Sequence, residues 1–327
     1  MTTNTAQKIV NFVRKNKSVR PNDLVSYLEI SKQAVFRQLK KLLEQEILSK
    51  TGTPPNVFYT IKTFSNFKNI TISDKNNAGI IEKNYLFITP NGDFLAGVKG
   101  FNYWCEHNNL PVEKTVSDYV KTLDKYNKFK NNETGLISGL EKFKQSFEQV
   151  YIDQVYYLDF YSIERFGKTK LGSLLLYAKQ SQNRELINKI FQIIEQPVLN
   201  LIKIAKIDAV SFVPPTVARN IQLQKELEKK FSFKLPKINI VKVNTEITVP
   251  QKTLSKLKDR INNVDKTIFL GENKVFNNIL LIDDAVGSGA TFNQIAKKIR
   301  EKKLVKGKII GLALTGSFKG FDVISEV

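Results

Sequence analysis

At 327 residues the chain has room for about two domains, and 42% apolar residues can bury an ordinary core. It lacks an apolar run of eighteen residues, which excludes a membrane-spanning helix; the polar start, Met1 to Gln7, lacks the apolar core of a signal peptide; and Cys105, the sole cysteine, excludes an internal disulfide or a cysteine zinc site. These features imply a cytoplasmic protein with no membrane partner. The formal charge of +20 suits nucleic acid or phosphorylated ligands, although a Lys-, Asn- and Ile-rich coding bias would also raise it, so where the charge sits matters more than its total.

Residues 1–62 read as one small module. Ile9, Val10 and Val13 recur at helical spacing in Ala6 to Lys15. Pro21 suits the first position of a second helix, carrying Leu24 and Leu28. Ser31 is a suitable N-cap for a third, Lys32 to Gln45, with Val35, Leu39 and either Leu42 or Leu43 as its apolar stripe. Two short strands around Gly52-Thr53-Pro54-Pro55-Asn56 complete a hairpin. Three helices and a hairpin resemble the winged helix-turn-helix family of DNA-binding domains. That resemblance implies a third helix in the major groove and a wing at the backbone or minor groove, with Arg37 and Gln38 reading base edges, Lys32 and Lys41 contacting phosphates, and Gln33 on the same DNA-binding face. The module holds eleven Lys or Arg against four Asp or Glu, so it is denser in positive charge than the remainder. Such a module can instead bind protein or dimerise, so a homodimer stays open.

Residues 63–150 form an α+β connector of unassigned role. Tyr85 to Thr89 and Phe94 to Gly97 flank a Pro90-Asn91-Gly92-Asp93 turn, and helices are expected at Phe101 to Asn108, Thr115 to Lys128 and Gly139 to Glu148. Trp104, Cys105 and His107 invite a reading as a site, but without a second His or Cys nearby they read as packing residues.

Residues 151–327 read as an α/β domain with a parallel sheet. A long helix runs to about Ile204, and Asp208 to Val213 is its first buried strand, ending in Pro214-Pro215. Further strands are expected at Ile238 to Val243, Lys308 to Thr315 and Phe321 to Val327, with a helix at Thr216 to Lys230. Between two strands lies Pro250 to Val264, a basic stretch that taken alone is a solvated loop.

Ile279-Leu280-Leu281-Ile282 is an apolar run buried on both faces, followed by Asp283 and Asp284, then Ala285 to Thr291 and a helix from Phe292 to Lys303. Open α/β sheets bind ligands at this carboxyl edge. Gly287 and Gly289 allow close backbone approach, Ser288 and Thr291 offer hydroxyls, and the helix amino end suits phosphate. The two acids would repel phosphate and instead accept from sugar hydroxyls or hold a cation. Together they read as a ribose 5-phosphate site. A Walker B strand has the same apolar-Asp-Asp form, but it needs a G-x-x-x-x-G-K-[ST] loop elsewhere, and at Gly167-Lys168-Thr169 the first glycine is replaced by Ser162.

The stretch resembles the phosphoribosyl pyrophosphate (PRPP) motif of type I phosphoribosyltransferases. That resemblance implies Asp283 and Asp284 as the catalytic, ribose-binding acids and Ala285, Val286, Gly287, Ser288, Gly289, Ala290 and Thr291 as the phosphate loop. It implies Mg²⁺ carried in with PRPP and no metal cage built by the protein. Lys179, Val213-Pro214 with Arg219, Gln251-x-x-Leu254-Ser255 and Arg260-x-x-Asn263-Val264 resemble one branch, the ComF/GntX-like competence proteins. By that resemblance Pro214, Pro215, Arg219, Lys252 and Arg260 face pyrophosphate, the last two from a mobile lid. The chain departs from the branch in three ways: a winged helix replaces the Cys-rich zinc module, the loop has Ala285 for the first Val and Gly287-Ser288 for a Thr pair, and the Arg-Gly-Phe-Asn-Gln sequence after the first strand is absent. The expected activity is transfer of phosphoribosyl to a nitrogen acceptor. The alternatives are a PRPP-sensing DNA-binding regulator, as the purine-operon repressor is, or a competence-type accessory to DNA handling.

Overall fold

The computed structural model describes residues 5–45, 47–62, 71–243, 246–247 and 249–317. They fall into two compact units, residues 1–68 and 69–327.

The first unit contains α1 (Thr5–Asn16), β1 (Ser18–Val19), α2 (Pro21–Leu28), α3 (Lys32–Glu44), β2 (Leu48–Thr51) and β3 (Phe58–Ile61). The three strands form an antiparallel sheet in the order β1-β3-β2. β1 lies outside the expected set, being two residues long with one buried side chain. Its partner is far off in sequence: Val19 pairs with Tyr59. Ile9, Val13, Leu24, Val35, Leu39 and Leu48 make the core. The helix ends follow local chemistry. The Asp23 carboxylate accepts from the Arg20 N–H at 2.7 Å, and the Ser31 hydroxyl accepts from the Ala34 N–H at 3.3 Å.

The second unit is α/β. Its order is α4 (Lys75–Asn84), β4 (Leu86–Ile88), β5 (Phe94–Ala96), α5 (Gly97–His107), α6 (Val112–Asn127), β6 (Ile137–Ser138), α7 (Leu140–Ser146), β7 (Gln154–Phe160), β8 (Ser162–Ile163), β9 (Gly167–Lys168), α8 (Lys170–Ser181), α9 (Arg184–Ile204), β10 (Ala209–Phe212), α10 (Leu223–Phe231), β11 (Ile240–Lys242), a 3-10 turn (Gln251–Thr253), α11 (Leu257–Thr267), β12 (Ile268–Leu270), β13 (Ile279–Val286), α12 (Ala290–Glu301) and β14 (Ile309–Gly316). The main sheet runs β10-β13-β14-β7-β6. Its first four strands are parallel, and β6 pairs antiparallel to β7.

Alternation along the central strands builds two cores. Ile279 and Leu281 of β13 join a cluster with Ile295 and Ile299 of α12 and Val264 of α11. Leu280 and Ile282 point the other way, to Leu174 of α8, Ile190 and Ile194 of α9 and Leu227 of α10. Helices therefore cover both faces, and the apolar run on β13 is unbroken for that reason.

The expected boundary at residue 150 is not a break in packing. Phe101, Val116, Tyr119 and Phe143 belong to the same core as β13 and α12. Trp104, Cys105 and His107 lie on α5, where Cys105 is fully buried and Trp104 packs among Tyr85, Phe101 and Phe166.

Four expected elements differ. The sheet begins with β6 and β7, both before Asp208 to Val213. The segment 216–222 is loop, and the helix there starts at Leu223. β11 leaves the main sheet and pairs antiparallel with β12; Lys237 makes a single parallel bridge to Val210. Pro250 to Val264 is a 3-10 turn followed by α11, which packs on α12. Phe321 to Val327 lies outside the described residues.

Candidate functional site

Asp283 sits one residue past the end of β10's pairing with β13, whose last pair is Phe212 with Ile282. β13 does not stop before the acids, as its apolar run suggests. It continues through Val286, because Asp283 pairs with Ala313, Ala285 with Thr315 and Val286 with Gly316. The turn is accordingly short, Gly287-Ser288-Gly289, and α12 begins at Ala290, two residues earlier than expected.

Gly289 is the N-cap, with φ +77°, a left-handed conformation that glycine adopts without steric cost. A Cβ there would also stand 2.5 Å from Cζ of Phe143, a fully buried ring on α7. The segment without an assigned role thus braces the turn from below. In the first turn of α12 several N–H groups lack intrahelical partners, and that of Ala290 donates to the Ser288 hydroxyl at 3.4 Å. The positive end of the helix dipole faces the same place.

Around this turn lies a cavity of 240 Å³. The strand ends converge on it: Val213 and Pro214 after β10, Asp283 to Val286 on β13, Thr315 on β14 and Tyr161 after β7. Asp283, Asp284, Ala285, Val286, Gly287, Ser288, Gly289, Thr291, Pro214, Pro215, Arg219 and Arg260 all line it. Ala290, expected in the phosphate loop, is instead buried at 1% exposure, because the first turn of α12 faces it inward. The side chain of Lys252 lies outside the described residues.

Lys179, Gln224 and Lys242 also line the cavity and were not among the expected contacts. Lys179 of α8 pairs with Asp284 Oδ2 at 2.9 Å, and Gln224 of α10 donates to the same oxygen at 2.7 Å. Lys242 of β11 donates to Thr216 Oγ1 at 3.2 Å. The position of Lys179 before the strand was a usable signal; nothing local marks Gln224 or Lys242, which arrive from separate elements.

The electrostatics divide the two acids. Asp283 retains some exposed surface as a residue, but its carboxyl lies deep in the cavity. Desolvation, and next the Asp284 carboxylate, push it well above the usual carboxylate range. The Asp284 N–H, which donates to Asp283 Oδ1 at 2.8 Å, pulls it back, as do Lys179 and Lys242. Burial lowers the Lys242 ammonium, and the nearby Asp283 opposes that. Four cations, Lys179, Arg219, Lys242 and Arg260, face two carboxylates, so the described lining is net positive. It can take an anion at the glycine turn, hydroxyl donors at the acids and further negative charge near Lys242 and Arg219. Among the described residues no three metal-binding side chains cluster. The donors present, Asp283 and Asp284, suit a cation that arrives on an anionic ligand.

In the first unit, Lys32, Gln33, Arg37 and Lys41 are exposed on α3 and Gln38 is half-buried. They lie opposite buried Val35, Leu39 and Leu42. Among the described residues no helix is long and apolar enough to cross a membrane. No protein-family model matches the chain, and no curated protein matches it.

Proposed function

We propose that the chain is a phosphoribosyltransferase-fold protein of the ComF/GntX-like kind, which binds PRPP or a related ribose 5-phosphate ligand in this cavity. The observation that carries the reading is the juxtaposition of opposite chemistries on one strand-turn-helix: Asp283 and Asp284 directly before a glycine turn at a helix amino end. The carboxylates accept from the ribose hydroxyls, and the turn takes the 5′-phosphate. Lys179, Lys242 and Arg219, with the Pro214-Pro215 turn, are the cations available to a pyrophosphate on the other side of the acids. Mg²⁺ would come with the pyrophosphate, where it neutralises charge on the leaving group.

Turnover is phosphoribosyl transfer to a nitrogen acceptor. The bond from ribose C1 to pyrophosphate breaks, a C1–N bond forms, pyrophosphate departs with the electron pair, and the proton lost from the nitrogen goes to the departing pyrophosphate or to solvent. The chain's part is to hold the ribose, neutralise the departing charge and keep water out. The described lining contains no histidine, so a ligand-sensing role without turnover stands beside the enzyme. Calorimetric titration with Mg-PRPP tests the binding. The wild type binds, and the double variant Asp283→Asn, Asp284→Asn loses at least about tenfold in affinity, as expected when charge-assisted hydrogen bonds weaken. Equal affinity for both proteins removes the ribose assignment.

The exposed cationic face of α3 favours a second property, DNA binding through a winged helix in residues 1–62. With it, the chain could act as a PRPP-responsive regulator or a DNA-handling accessory. Selection of fragments from random DNA, with and without Mg-PRPP, separates these outcomes: a motif whose enrichment responds to PRPP marks a regulator.

A further inference from the structure

The family resemblance implies that Arg260 belongs to a lid over pyrophosphate, but its surroundings in the structure differ. It lies in the first half of α11 and is only 5% exposed. Its Nε donates to the Leu254 carbonyl at 2.7 Å, and Gln251 Nε2 donates to its own carbonyl at 3.1 Å, so both ends of the residue are fixed. Among the described residues no carboxylate pairs with it, and Nη2 is buried without a hydrogen-bond partner. Its Nη1 lies 3.6 Å from where a Cβ would stand on Gly287. A guanidinium this buried is costly unless an anion meets it.

The neighbour it faces is the glycine turn and, beyond it, the amino end of α12. The other cations stand apart. Lys242 and Thr216 bond each other near β10, and Lys179 is on Asp284. Two cationic subsites therefore flank the acids, and Arg260 belongs to the one at the turn. We infer that Arg260 binds the same phosphate as the Gly287–Gly289 turn and makes this subsite selective for a phosphomonoester. The inference rests on the proposed ribose 5-phosphate reading. An arginine presents two parallel N–H groups to one phosphate in a fixed planar fork, a geometry that a lysine ammonium lacks.

The test uses the full chain and two probes at fixed salt, ribose 5-phosphate and Mg-pyrophosphate, titrated into wild type, Arg260→Gln and Arg260→Lys. Arg260→Gln should weaken ribose 5-phosphate about 10- to 100-fold and change pyrophosphate by about twofold at most. Arg260→Lys should fall between, since the charge stays and the fork is lost. Pyrophosphate weakened as much as ribose 5-phosphate, or ribose 5-phosphate unchanged, overturns the inference. If Arg260→Gln does not fold, Arg260→Lys decides by the same comparison. If the wild type binds neither ribose 5-phosphate nor PRPP, inorganic phosphate is the probe. Thermal stabilisation of wild type but not of Arg260→Gln keeps the phosphate site and discards the ribose reading; no stabilisation of the wild type discards both.

Discussion

Burial and the adjacent Asp284 carboxylate hold Asp283 against ionisation, and that has a sign for stability. Its folded pKa lies above the unfolded value, so in the window between them the folded state binds more protons. Stability contributed by the proton is full below the unfolded pKa, about 3.9, and is lost as pH rises through the folded one. Asp283→Asn keeps an oxygen for the Asp284 N–H and removes the charge. Thermal melts from pH 4 to pH 8 should show the variant's Tm rising above wild type by a few degrees at neutral pH, with the gap closing toward acid. The ligand reads the same titration in reverse. Ribose hydroxyls need an acceptor, so affinity for ribose 5-phosphate should increase as pH rises through the Asp283 titration, and this dependence should vanish in Asp283→Asn. Gly289 is constrained differently. Its φ of +77° and the approach of Phe143 both exclude a side chain. Gly289→Ala should cost about 2–4 kcal/mol in denaturant melts. Adding Phe143→Leu should recover part of that loss, because only the contact term depends on the ring.

At the scale of elements, α3 separates a folding face from a binding face. Val35, Leu39 and Leu42 are inside, so replacing Lys32, Arg37 and Lys41 by Ala should leave the melting curve near wild type. Each phosphate contact removed should lower the slope of log K against log salt by about 1, measured with duplex DNA. A slope unchanged in the triple variant would take DNA off this helix. α3 was legible because a stripe and an outer face sit together in thirteen residues directly behind their cap, Ser31. β13 was legible for the same reason: Ile279 to Ile282 are apolar on both faces wherever the neighbours come from. Elements defined by distant partners were not. α11 reads as a basic loop since its sequence is crowded with Lys, Asp and Asn around Leu257, Ile261 and Val264. Only packing on α12 makes it a helix and turns Arg260 inward. β11 reads as a sheet strand, but local pattern cannot name its partner, and its pairing with β12 is what brings Lys242 to the cavity.

For the whole molecule, the two units have separate cores, one around Leu24 and Leu39, the others around the five-stranded sheet. Residues 71–150 share the sheet's core and brace its glycine turn through Phe143, so the cavity at that turn needs them. A chain cut at residue 150 should lose both fold and ligand binding. In the intact protein, separate cores imply two melting transitions. Mg-PRPP at 100 times its Kd adds about 2.7 kcal/mol to the unit that binds it, which is about 5–10 °C for a unit of this size. DNA should move the other transition. Calorimetry with each ligand alone, then both, therefore measures coupling directly. If each ligand moves only its own transition and the shifts add, the units act independently, and residues 1–62 serve as a tether. If Mg-PRPP also moves the first unit's transition, or if the two ligands together depart from additivity, the sites are coupled. By reciprocity DNA must then change PRPP affinity by the same factor. That second pattern is the one a PRPP-sensing regulator requires.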